Sequence, residues 1–181
     1  MSFVVSRGEL AASFGADRLV TVPDERLNPR VVHPLSRRFL SEVGLPALPD
    51  FVYDPMDNLA EGLPSAVDTQ NNLHTFDNLP ETVDSWVRLG LFHHEPVFLD
   101  GTTGALWELL GVAQVNSRID RFARCLQALH RHRRGYARWS PSRVREATTD
   151  RLMAEFAAVD PEATTRPECY WNGALADREW S

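Results

Sequence analysis

The chain contains no lysine, and all 19 basic residues among its 181 are arginine. That absence removes Schiff-base chemistry and the phosphate-clamping lysine of nucleotide-binding loops. None of the patterns G-x-x-x-x-G-K-[ST], G-x-G-x-x-G or G-x-S-x-G occurs either. Cysteine is scarce: Cys125 and Cys169 stand far apart, without a CxxC or a His-rich partner spacing, so two reduced thiols are expected rather than a zinc site. No window approaches the roughly 20 apolar residues that cross a bilayer. The N-terminus offers only Phe3-Val4-Val5 before the charges of Arg7 and Glu9, too little for the apolar region of a signal peptide. Repeats and low-complexity stretches are missing as well. The expectation is a cytoplasmic protein in a reducing compartment.

What is present suits a folded domain. A length of 181 residues fits one domain of roughly 100–200, so residues 1–181 are read as one unit with a C-terminal tail at 161–181. With 43% hydrophobic and 24% charged residues, the chain lies far from the composition that keeps chains disordered. The net charge of −6 is unevenly laid out. Residues 42–108 carry twelve acids against one base, Arg88, whereas residues 118–145 carry nine arginines against one acid, Asp120. An acidic chain argues against nucleic acid as the main partner, since phosphate binding needs clustered positive charge. The basic block keeps that reading open, because Tyr136 and Trp139 are interleaved with Arg133, Arg134 and Arg138 and aromatics can stack on bases. The plainer reading is that these arginines complement a helix end and pair with the chain's own acids, Glu146 and Asp150 among them.

The clearest element begins at Ser117. Ser117 and Asp120 have the spacing of a capping box, and Ile119, Phe122, Ala123, Leu126 and Leu129 recur at helical period. Arg131, His132, Arg133 and Arg134 crowd the last turn, and Gly135 is placed to take a left-handed C-terminal conformation. A second helix is predicted over 140–159, with Ser140 as cap, Pro141 in the first position and a stripe of Val144, Thr148, Leu152, Phe156 and Val159; Pro161 ends it. A third runs over 34–43 and stops at Gly44-Leu45-Pro46, and residues 8–14 fit another. Extended segments are read at 18–22, 48–53, 85–92, 96–99 and 105–110. Val97-Phe98-Leu99 and Ala105-Leu106-Trp107 form a β-hairpin through the turn Asp100-Gly101-Thr102-Thr103-Gly104. Helices flanking a run of hairpin-linked strands predict an α+β class with an antiparallel sheet.

Catalytic constellations are not legible. His93-His94-Glu95 with Asp100 is the most ligand-like cluster and carries one alternative reading, a small metal-dependent hydrolase. Adjacent histidines on a strand point to opposite faces, however, so an exposed hairpin turn is the preferred assignment and no metal is expected. His130 and His132 are expected to be solvated partners of the helix dipole. Cys125 falls beside the core position Leu126 and Cys169 in a proline-flanked tail, both read as buried or incidental thiols. No catalytic residue and no cofactor are assigned.

Four pieces, in order, carry a resemblance: Phe39-Leu40-Ser41-Glu42-Val43-Gly44-Leu45-Pro46; Leu89-Gly90; Pro96-Val97-Phe98-Leu99-Asp100-Gly101-Thr102-Thr103-Gly104; and Val115-Asn116-Ser117 leading into the helix of Phe122. Their order and distances resemble the SUKH superfamily, and more narrowly its SUKH-4 branch, whose members are encoded beside polymorphic toxins in bacteria. The match covers about residues 34–134. The resemblance implies an α+β domain acting as a non-catalytic immunity protein that binds and neutralises a cognate toxin domain. Some eukaryotic relatives are regulatory interaction proteins, which leaves a binding domain without a toxin as the alternative. The motif residues themselves read as structural. Gly44 and Pro46 end a helix, Val97 to Leu99 fill a sheet, and Asp100, Gly101 and Gly104 shape a turn.

Charge supplies a candidate surface. Toxins that attack nucleic acid are commonly basic, and an acidic partner both steers association and mimics the substrate's charge. Asp50, Asp54, Asp57, Glu61 and Asp68 lie in a proline- and glycine-punctuated stretch expected to be loop-rich, with Phe51 and Tyr53 as aromatic anchors. These seven residues are the expected contact set for a basic toxin domain. The aromatic residues Tyr170, Trp171 and Trp180 either pack back on the domain or meet a partner.

Overall fold

The structure is a computed structural model that describes residues 2–136, 140–166 and 169–176. Ser6 opens α1 (Arg7–Phe14) with a reciprocal cap: the Ser6 hydroxyl accepts from Glu9 N and the Glu9 carboxylate from Ser6 N at 2.9 Å. Two short strands, β1 (Leu19–Val20) and β2 (Leu45–Pro46), pair antiparallel around α2 (Pro34–Glu42), a helix whose inner face is Leu35, Phe39 and Leu40. Pro46 therefore lies in a strand, opposite Leu19, and it is Gly44, at φ 84°, that turns the chain out of the helix.

The main sheet runs β3 (Tyr53–Asp54), β4 (Trp86–Phe92), β5 (Glu95–Asp100), β6 (Leu106–Glu108) and β7 (Ala113–Asn116), in that spatial order and antiparallel throughout. The one-turn helix α3 (Ala66–Thr69) lies in the long connection before β4. After the sheet come α4 (Ile119–Tyr136), α5 (Ser142–Val159), α6 (Pro161–Thr164) and α7 (Tyr170–Ala176). Helices segregate from the sheet instead of alternating with its strands, which is the α+β class read from the sequence. The hairpin is present in register, with Phe98 opposite Trp107 and Leu99 opposite Leu106.

Period-two alternation divides the sheet's residues between two apolar clusters. Val87, Leu89, Val97, Leu99 and Leu106 face the large core shared with α1, α2, α4 and α5. Trp86, Phe98 and Trp107 face a smaller cluster closed by Ala66, Leu73 and Leu109, and Trp86 stacks on both Phe98 and Trp107 at 5.8 and 5.7 Å between centroids. At the hairpin turn, the buried Asp100 carboxylate accepts from the hydroxyls of Thr82 and Ser85 and the amides of Thr102 and Thr103. Burial alone would raise its pKa. The hydroxyl of Thr82 and the amides of Thr103 and Thr102 outweigh that and hold it below the ordinary carboxylate value.

Several local expectations give way to long-range contacts. Asp120 does not reach back to Ser117. It is fully buried, accepts from Val4 N at 2.9 Å and pairs with Arg118 at 2.6 Å, so it fastens the N-terminal segment to the start of α4. Ser117 instead gives its amide and hydroxyl to Asp160, both at 2.8 Å. Gly135 is helical rather than a left-handed cap. A Cβ there would lie 2.9 Å from Thr148 Cγ2, so glycine is what lets α5 cross α4 closely. Ser140 is not the cap of α5 either: its hydroxyl donates to Arg134 O at 2.8 Å, and Val144 of the expected stripe is exposed.

Within the expected tail, residues 161–164 and 170–176 are helical. Pro161 ends α5 but opens α6, and α7 returns Tyr170 and Trp171 to the core, where the Trp171 ring meets Phe156 at 4.6 Å and Phe92 at 5.4 Å. Of the residues singled out in sequence, Arg138, Trp139 and Trp180 lie outside the described residues.

Candidate partner-binding surface

Residues 47–56 leave β2, pass through the edge strand β3 and turn away at Pro55-Met56. β3 sits on β4 with Tyr53 opposite Phe92 and Asp54 opposite Leu91. Gly90 permits that approach, since a Cβ on it would lie 2.5 Å from Asp54 O and 2.8 Å from Pro55 Cα. Beside this segment β4 turns into β5 through only two residues, His93 and His94, both at positive φ (49° and 69°) as the hairpin turn that matches strand twist requires. His93 N donates to Val52 O at 2.9 Å, tying the turn to the segment. Between turn and segment lies an open cleft of about 680 Å³, whose lining includes Asp50, Phe51, Asp54, Met56, His93 and His94.

Among the described residues, four of the seven non-glycine residues at positive φ line this cleft: Asp50, Met56, His93 and His94. Such residues persist where surrounding contacts over-determine the backbone, and they gather at binding sites. Met56 is 52% exposed although apolar, and the Arg88 guanidinium approaches its sulfur at 4.0 Å. Phe51 is half-buried, its ring 5.8 Å from Phe14 and 5.6 Å from the His130 imidazole. Partial burial and the neighbouring Arg133 cation lower the pKa of His130. That histidine is thus a packing group between two phenyl rings, not the solvated dipole partner expected.

The two charge blocks behave differently. Arg118 pairs with Asp120, Arg121 with Asp160, Arg124 with Glu9, and Arg131 together with His132 with Glu155. Four of the block's nine arginines are thus paired from within, by these acids and not by Glu146 and Asp150, while Arg133, Arg134, Arg143 and Arg145 make no ion pair among the described residues. In the acidic block Asp50, Asp54, Asp57, Glu61 and Asp68 are all exposed, and none makes an ion pair among the described residues. Arg26 and Arg30 do reach across to this region, but their guanidinium groups donate to the carbonyls of Ala60 and Asp84 and not to these carboxylates.

Of the seven expected contact residues, the fold brings Asp50, Phe51 and Asp54 to one cleft. Asp57, Glu61 and Asp68 are exposed but do not line it. Tyr53 is a correction: it is fully buried, its hydroxyl donates to Leu89 O at 3.0 Å, and its ring packs on Phe122 at 5.4 Å. Strand alternation turns Tyr53 inward and Asp54 outward, so Tyr53 supports the site without presenting a surface to a partner. Met56, His93 and His94 were not singled out as contacts. The one sequence signal for the histidines was their place in a hairpin turn, and the cleft itself is a tertiary product.

The alternative chemistries lose their geometry. His93 and His94 lie at one end of β5 and Asp100 at the other, on the order of 15–20 Å along a strand of this length, and the Asp100 carboxylate is already engaged by four donors. Among the described residues no group of three or more His, Cys, Asp or Glu is placed to hold a metal ion. Burial pushes the Cys125 thiol well above its usual pKa and does the same to the Tyr53 phenol, so neither ionises readily. Among the described residues no helix is long and apolar enough to cross a membrane.

Neither a curated protein nor a solved structure matches the chain. A family model does, described as SUKH-4 immunity protein and matched over residues 5–177, well beyond the 34–134 that carried the resemblance. The match takes in α1, every strand of both sheets and the helices through α7, and on that extent the chain belongs to the SUKH-4 immunity protein family.

Proposed function

We propose that this protein neutralises a cognate toxin domain by binding it, without catalysis and without a cofactor, in the cytoplasm. The contact surface is the acidic stretch of Asp50, Phe51, Asp54, Asp57, Glu61 and Asp68, and the partner is a basic protein. The observation that carries the reading is the exposure of five of the acidic block's carboxylates without ion-pair partners among the described residues. Arginines 118, 121, 124 and 131 are paired internally, while these five carboxylates face solvent with no ion pair among the described residues. Unpaired exposed charge of one sign is what steers a partner of the other. A non-catalytic role is supported by the state of the reactive groups: the thiol of Cys125 is buried, the Asp100 carboxylate holds a turn, and His132 is bonded to Glu155.

The test is association kinetics. Reversing Asp57, Glu61 and Asp68 to arginine is expected to slow association with the cognate toxin domain by about tenfold or more at low ionic strength, with the difference shrinking as salt is added. An on-rate unchanged at low salt overturns the acidic surface as the docking face.

A further inference from the structure

We infer that the cleft between segment 47–56 and the His93-His94 turn is the receptor for one protruding basic side chain of the toxin, an arginine or lysine. Its charged head would sit at Asp50 and Asp54, and its aliphatic stem would lie on Phe51 and Met56. This rests on the toxin-binding reading and says where, within a broad acidic surface, the partner is gripped. The cleft combines two features that a generally acidic surface lacks. Its lining is apolar in good part, with Leu48, Pro49, Phe51, Pro55 and Met56, and at about 680 Å³ the open cleft has room for a long side chain. Two exposed acids, Asp50 and Asp54, line that same space without an ion pair among the described residues. A long cation with a methylene stem is the chemistry that satisfies both at once, because its stem covers apolar surface while its head stays with the charge.

The cleft is also held in shape without a partner. Asp54 Oδ1 accepts from Met56 N at 2.8 Å, and His93 N donates to Val52 O at 2.9 Å, so both walls are fixed by bonds of their own. A preformed site loses less on binding than a loop that must order. The acids outside the cleft accelerate encounter, while those inside it hold the complex; the first acts on association and the second on dissociation.

The experiment compares two charge-matched double variants against the cognate toxin domain by surface-based kinetics. Asp50→Asn with Asp54→Asn removes two charges from the cleft, and Asn at 54 retains an acceptor for Met56 N. Asp77→Asn with Glu81→Gln removes two exposed charges elsewhere in the acidic block. The cleft pair is expected to weaken affinity by about tenfold or more, mostly through faster dissociation, and the outer pair by less than about threefold, mostly through slower association. Equal effects of the two pairs would overturn the cleft as receptor while leaving toxin binding intact. A second arm needs no toxin: a capped Gly-Arg-Gly peptide is titrated into the full chain and followed by amide NMR shifts. Shifts confined to residues 48–56 and 91–94 support the cleft, and shifts scattered over the acidic surface overturn it, whether or not the toxin binds.

Discussion

Asp160 is a buried carboxylate whose loss should cost the fold heavily, and its effect can be worked out from its partners. It sits between α5 and α6 with its side chain fully buried, and its carboxylate accepts from Asn116 Nδ2 at 2.9 Å, Ser117 N and Ser117 Oγ at 2.8 Å, and Arg121 Nη1 at 2.9 Å. One carboxylate thereby joins the end of β7, the entry to α4 and the α5–α6 junction. Asp160→Ala removes all four acceptor contacts and strands a guanidinium that is only 25% exposed. Breaking one side of a buried pair costs about 3–5 kcal/mol. Partial access of Arg121 to water places this case near the lower end, about 3 kcal/mol. For a chain of this length each kcal/mol moves the midpoint by about 2–4 °C, so the melting temperature should fall by roughly 6–12 °C. Asp160→Asn keeps the shape and one acceptor and should lose less. Urea and thermal unfolding followed by circular dichroism read the difference. A loss below about 1 kcal/mol for Asp160→Ala would refute the claim that this network organises the C-terminal half.

Two further outcomes follow from packing and titration. Trp171→Ala should destabilise by about 3–5 kcal/mol, because the indole is wholly buried against Phe156 and Phe92; a loss under about 1 kcal/mol in urea unfolding would mean that residues 170–176 are not docked as described. Acid should act in two windows. The pKa values of His33 and His130 are depressed by burial, with Arg118 and Arg133 respectively adding to it, so the unfolded chain takes up these protons first and stability falls as pH drops below about 6.5. Asp100, held low by its donors, adds a second loss as pH drops below about 4 through its folded value. Stability against pH from urea midpoints checks both, and a flat profile between pH 7 and 5 contradicts the histidine argument.

Legibility in the sequence followed the range of the contacts involved. The helix of Phe122 and the hairpin of Phe98 and Trp107 were readable because helical period, alternation and turn residues are local. Asp120 escapes a local reading for the opposite reason: besides Arg118 it accepts from Val4 N, 116 positions away, and nothing near Ser117 announces that contact. Gly135 looked like a helix end because glycine usually is one there, whereas here it makes room for Thr148 of another helix. The aromatic residues after Pro161 could not be assigned to core or partner, since Phe92 and Phe156, which receive Trp171, come from distant elements.

The candidate site shows the same division. Exposure of Asp50, Asp54, Asp57, Glu61 and Asp68 follows from their charge and their loop-rich setting. Tyr53 went the other way because two residues of strand suffice to point it at Phe122. The cleft exists only where the chain beyond β2 meets a turn some 40 residues later in sequence, so His93, His94 and Met56 acquire their place from the fold alone.

The most direct test of the account is co-expression of this protein with the C-terminal domain of whatever secreted protein is encoded beside its gene, followed by calorimetry on the purified pair. The account predicts rescue of growth and tight one-to-one binding whose affinity falls with salt. A partner domain that is folded and toxic alone, yet neither bound nor neutralised, would contradict it.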